Sequence, residues 1–185
     1  MAGRADAFSE RFVLVTGCSG GGKSTLIDAL AARGFGTVPE PGRRIVAEEL
    51  KTEGRALPWV DMQAFAQRAV DVARDDLRAA QSTQGPVFFD RGLIDAAVAL
   101  QFSGGPSVKE VLGEMRPYAQ RVFVTPPWPE IYKSDDERRH TFEAAEEEYQ
   151  RITKILPMLG YEIFTLPKIS VPDRAEMVIT NLATP

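Results

Sequence analysis

The sequence predicts an α/β fold, a single domain over residues 1–185 in which helices cover both faces of a five-stranded parallel sheet. Five short apolar runs rich in Val, Phe or Ile read as strands buried on both sides. Longer helical stretches separate them, and such alternation demands right-handed crossovers between parallel strands. No internal repeat and no low-complexity linker divides the chain, so a second domain is not expected.

The first strand is expected at Arg11–Thr16 (RFVLVT) and the first helix at Lys23–Arg33, after a run of glycines. Phe35–Val38 supplies a second strand, and Arg43–Thr52 a helix with Ile45, Val46 and Leu50 on one face. Asp61–Gln81 is a long alanine-rich helix, followed by the strand Pro86–Asp90 (PVFFD) and the helix Leu93–Phe102. Arg121–Thr125 (RVFVT) is the fourth strand, and Asp136–Met158 a strongly charged helix. Tyr161–Leu166 (YEIFTL) and Val171–Leu182 end the pattern as strand and helix. Residues 1–10 lack the apolar core of a secretory signal and are expected to form a flexible tail.

Composition narrows the function. The hydrophobic fraction of 44% and charged fraction of 26% are those of a globular domain. A formal net charge of -4 argues against a nucleic-acid or membrane-surface binder, and no apolar run reaches membrane-spanning length. One cysteine, Cys18, rules out an internal disulfide and fits a cytoplasmic setting. One histidine, His140, cannot build a histidine metal cluster.

The chemistry starts at Gly17-Cys18-Ser19-Gly20-Gly21-Gly22-Lys23-Ser24, which fits G-x-x-x-x-G-K-[ST] at every fixed position between a strand and a helix. Glycines let successive N–H groups turn toward one anion, and the helix N-terminus adds positive charge. In this Walker A phosphate-binding loop (P-loop) Gly17, Ser19, Gly20, Gly21 and Gly22 would cradle a nucleotide's phosphates. Lys23 would reach the β- and γ-phosphates, Ser24 would ligate Mg²⁺, and Thr25 would lie near the α-phosphate.

Asp90 closes an apolar strand, where a carboxylate can hold Mg²⁺ or orient an attacking hydroxyl; capping the next helix is the alternative. Arg91 follows directly, as in nucleoside and nucleotide kinases, where it would contact substrate or phosphate. Val38-Pro39-Glu40-Pro41-Gly42-Arg43-Arg44 resembles the Glu-Pro segment of deoxynucleoside and thymidylate kinases. Glu40 would grip an acceptor hydroxyl, while Arg43 and Arg44 would hold an anionic group. Trp59 and Asp61 are candidates for the same cleft. Residues 126–140 fall where small-molecule kinases place a lid, with Arg138 and Arg139 as catalytic candidates that close on the transferring phosphoryl group. The run Glu143–Tyr149 reads as a solvated helix face, and Leu166–Arg174 falls where related folds cover the base.

Together GCSGGGKST, VPEPGRR, VFFDRGLID, VFVTPPWPEIYKSDDERR and LGYEIFTLP span nearly the whole chain. They resemble a family of P-loop ATPases and kinases that includes the ribosylnicotinamide-kinase domain of bacterial NAD regulators. The resemblance implies a kinase-like core with strand order 2-3-1-4-5, Mg-ATP binding and a lid. No guanine-reading NKxD motif is visible, so ATP is expected over GTP.

Two functions follow. In one, the γ-phosphate of ATP passes to a hydroxyl of a small, nucleoside-like metabolite. In the other, the chain is a regulatory ATPase or GTPase read by a protein or lipid partner. A homodimer is compatible with either. The paired Glu40 and Asp90-Arg91 favour the kinase.

Overall fold

The computed structural model describes residues 10–132 and 141–182. Most of the expected tail, the candidate lid residues Arg138 and Arg139, and the first turns of the helix expected from Asp136 lie outside the described residues.

Five parallel strands form one sheet in the order β2-β3-β1-β4-β5: β1 (Phe12–Gly17), β2 (Gly36–Val38), β3 (Val87–Asp90), β4 (Arg121–Thr125) and β5 (Glu162–Thr165). The helices are α1 (Lys23–Ala31), α2 (Pro41–Glu49), α3 (Met62–Ala80), α4 (Leu93–Phe102), α5 (Val108–Leu112), α6 (Phe142–Met158) and α7 (Val171–Thr180). Among the described residues no helix is long and apolar enough to cross a membrane.

The sheet's pleat sorts the core into two layers. Phe12 and Leu14 of β1 face one way with Val87, Phe89, Val122 and Val124, under α3, α4 and α6. Val13 and Val15 face the other way with Phe88 and Phe123, under α1 and α7. Alternate residues point to opposite faces, so the unbroken apolar run Phe12–Val15 of β1 serves both layers. Each such side chain contributes roughly 1.5–3 kcal/mol through burial.

Most elements match the sequence expectation within two residues, and their ends are chemically marked. Asp61, a candidate for the cleft, instead caps α3 by accepting from the Ala64 N–H at 2.9 Å. α2 starts two residues early because Pro41 fits the first helical turn. The short α5 was not expected, although Ser107 and Glu110 form a capping box at its start.

β1 pairs with β3 on one side and β4 on the other. The chain reverses its winding there, and the carboxyl ends of these strands open the crevice where ligands bind in such sheets. Val15 lies opposite Asp90 in the β1–β3 register, which puts the Asp90 carboxylate beside the glycine run.

Candidate active site

The loop leaves β1 at Gly17, whose φ of +116° lies in the region that L-residues avoid. A Cβ there would sit 2.3 Å from the Thr125 carbonyl oxygen, so the backbone approaches β4 as closely as sterics permit. The Cys18 N–H donates to that same carbonyl at 2.9 Å and ties the loop to β4. Gly22, at φ +80°, is the residue before α1, and a Cβ there would strike the Arg174 guanidinium at 2.9 Å. Ser19 is buried, Gly20 lies under the Tyr132 ring, and the Thr25 hydroxyl donates to the Gly22 carbonyl at 3.0 Å.

Lys23 is 5% exposed, and its Nζ donates to the Cys18 carbonyl at 2.8 Å across the loop. Burial, reinforced by the charge of Arg91, lowers its pKa to about 8. A cation held this way gains most from an anion in the loop.

The Ser24 hydroxyl donates to Asp90 Oδ2 at 2.8 Å. Asp90 Oδ1 is buried with no partner among the described residues. Burial first, and then the charge of Glu40, push the Asp90 carboxyl upward. Asp90 is therefore not a helix cap; α4 is preceded by Gly92, whose N–H donates to Asp95 Oδ2 at 3.1 Å. A hydroxyl beside a carboxylate with a spare oxygen is the hard donor set that suits Mg²⁺ shared with phosphate and water. Among the described residues no group of three His, Cys, Asp or Glu side chains could hold a metal alone.

Arg91 is 8% exposed and holds φ +57°, a conformation that non-glycine residues adopt rarely and at a cost. Its guanidinium makes a two-pronged pair with Glu148 of α6, at 2.7 and 3.1 Å, and donates to the Gly17 carbonyl at 3.3 Å. Glu40 stands 3.6 Å away and Asp95 3.8 Å. Burial opposes its charge, but Glu148, Glu40 and Asp95 outweigh it and raise the pKa further. Glu148 thus corrects the reading of Glu143–Tyr149 as a solvated face. Asp95 was not anticipated; it accepts from the Thr16 hydroxyl, and burial pushes its pKa up to about 6. Tyr118 accepts from the Leu93 N–H at 2.8 Å and anchors the start of α4 beneath these groups.

Between α2, α3, α4 and α6 lies a cavity of about 400 Å³. Ser19, Glu40, Arg91, Asp95 and Glu148 form its polar end, against the glycine loop that follows β1. Trp59, Met62, Phe65, Val98, Phe102 and Ile152 supply apolar walls. Arg43 reaches the rim and stands 3.6 Å from Glu40. Arg44 turns instead to Asp76 of α3 and does not line the cavity.

A model of the AAA domain family matches residues 12–174. No curated protein matches the chain. Among solved structures, the NadR protein in complex with NR is 19% identical, with a TM-score of 0.69; the match covers 95% of this chain and 52% of that one. Thymidylate kinase from Candida albicans is 14% identical over 92% of each chain, with a TM-score of 0.65. Deoxyadenosine kinase from M. mycoides with bound dATP is 16% identical, covering 93% of this chain and 98% of that one, with a TM-score of 0.64. At such identities the likeness is one of fold, and the fold is that of the P-loop nucleoside and nucleotide kinases. The match along nearly the whole chain shows that the protein belongs to the AAA domain family.

Proposed function

We propose that the chain is a small-molecule kinase that transfers the γ-phosphate of ATP to a hydroxyl of a metabolite held in the cavity. The observation that carries this reading is the cavity itself. It joins the phosphate loop at Ser19, places Glu40, Arg91 and Asp95 at the junction, and is walled by aromatic and aliphatic groups. A switch that only hydrolyses its nucleotide needs a positioned water, not an apolar chamber of this size beside it.

The residues divide the work. The loop amides and Lys23 bind the β- and γ-phosphates. Ser24 and Asp90 would hold Mg²⁺, which when bound neutralises charge on those phosphates. The apolar walls orient the acceptor's body, and Glu40 and Asp95 take hydrogen bonds from its polar end. As the acceptor oxygen bonds to the γ-phosphorus and the bond to ADP breaks, the hydroxyl proton passes to Asp90. Burial, and then the charge of Glu40, raise the Asp90 pKa, which suits Asp90 to accept the proton. Arg91, held by Glu148, keeps this acidic group in place. Arg138 and Arg139 would close over the transferring group.

A panel of nucleosides, nucleoside analogues and small alcohols, assayed for ADP release with Mg-ATP, tests the proposal. Release that depends on one acceptor class supports it. Slow hydrolysis indifferent to the whole panel, yet accelerated by a protein or a membrane, would replace it with the regulatory reading.

A further inference from the structure

Arg174 lies in the first turn of α7, far in sequence from the phosphate loop, and is 1% exposed. Its Nη1 and Nη2 both donate to the Gly21 carbonyl at 3.2 Å. Its Nε is buried without an acceptor, and the guanidinium's hydrogen bonds among the described residues go to a backbone carbonyl rather than to a carboxylate. The neighbouring acid, Asp173, is engaged by the Ser170 hydroxyl at the helix cap. The face of Trp128, with its ring centre 5.6 Å from the guanidinium carbon, is an electron-rich group beside it. Burial alone lowers the Arg174 pKa.

A buried cation without an anion is costly, and an anion that binds beside it would offset that cost. The place this charge can serve is the loop it touches. In a trans peptide the N–H points opposite to the C=O. Gripping the Gly21 carbonyl from the α7 side therefore turns the Gly22 N–H to the other side, where the loop's amides gather. We propose that Arg174 is a nucleotide-positioning residue that fixes the Gly21–Gly22 peptide and adds, besides Lys23, a buried positive charge with no carboxylate partner among the described residues for the polyphosphate to neutralise. The inference rests on the reading of Gly17–Ser24 as the nucleotide's phosphate site.

The test compares Arg174→Met and Arg174→Lys with the wild type, using melting with and without Mg-ATP, ATP binding, and KM against kcat. A purely structural arginine would lower the melting temperature when removed and leave ATP affinity alone. The proposal predicts the opposite for Arg174→Met. Its ligand-free melting temperature equals or exceeds that of the wild type, and its ATP affinity falls about tenfold, as for loss of a charge-assisted contact. KM for ATP rises more than kcat falls, and Arg174→Lys recovers part of the affinity. Ligand-free destabilisation of Arg174→Met, or ATP affinity within twofold of the wild type, overturns the proposal. Failure of the wild type itself to bind ATP would instead refute the underlying reading of the loop.

Discussion

Replacing Lys23 with Met is expected to raise the stability of the ligand-free protein while removing its response to ATP. Lys23 is buried, and its pKa falls from 10.5 to about 8, chiefly through desolvation. That fall corresponds to about 3 kcal/mol against folding at pH 7. Methionine keeps an unbranched, apolar side chain in the same space but loses the hydrogen bond to the Cys18 carbonyl, worth about 1.5–3 kcal/mol with a charged donor. The net gain is about 1 kcal/mol, or a Tm higher by about 3 °C for a domain of this size. The sign of the pH dependence follows from the depressed pKa. The unfolded chain binds more protons between about pH 8 and 10.5, so wild-type stability rises across that window and is lost as pH falls through 8. Lys23→Met should lack that rise. Calorimetric or fluorescence melting from pH 7 to 10, with and without Mg-ATP, measures both effects. A Tm lowered by more than about 5 °C at pH 7, with the ATP-induced rise intact, would refute the reasoning.

Other perturbations probe the supports of the site. Gly17→Ala should prevent normal loop formation, because its Cβ would sit 2.3 Å from the Thr125 oxygen; loss of ATP binding together with a lower Tm is the expected outcome. Tyr118→Phe leaves the Leu93 N–H without its acceptor and should cost about 1–3 kcal/mol, read by denaturant unfolding. Glu148→Gln removes the two-pronged partner of Arg91. Glu148 is partly open to solvent, and Glu40 and Asp95 remain close to Arg91, so the cost should be about 1–2 kcal/mol. On the kinase reading the same change raises the acceptor KM, measured by ADP release at saturating ATP.

The glycine loop between β1 and α1 was legible because its pattern is local: glycine spacing, lysine and hydroxyl all fall within one turn between strand and helix. Asp90 was legible as the polar end of an apolar strand. Glu148 and Asp95 were not, because each depends on helix phase rather than composition. Glu148 shares the inward side of α6 with Ala145 and Ile152, three residues before and four after it, although it sits in an acidic run. Asp95 is the only charged residue in LIDAAVALQF, a helix apolar on all sides, and that isolation was the available signal. Arg174 precedes the buried Ala175 and Val178 on α7, so the spacing marks it as inward-facing, but its contact with Gly21 spans the whole fold. Arg43 and Arg44 are adjacent and alike in sequence; helix rotation sends one to the cavity and the other to Asp76.

The central claim is that the amides of Gly17–Ser24 and the buried Lys23 form a polyphosphate site. Isothermal titration of the wild type and Lys23→Met with Mg-ATP, Mg-ADP and adenosine tests it most directly. Saturable one-to-one binding of ATP and ADP by the wild type, weak binding of adenosine, and loss of ATP binding in Lys23→Met are the predicted results. Equal affinity of both proteins for ATP, or no triphosphate binding by the wild type, would contradict the account.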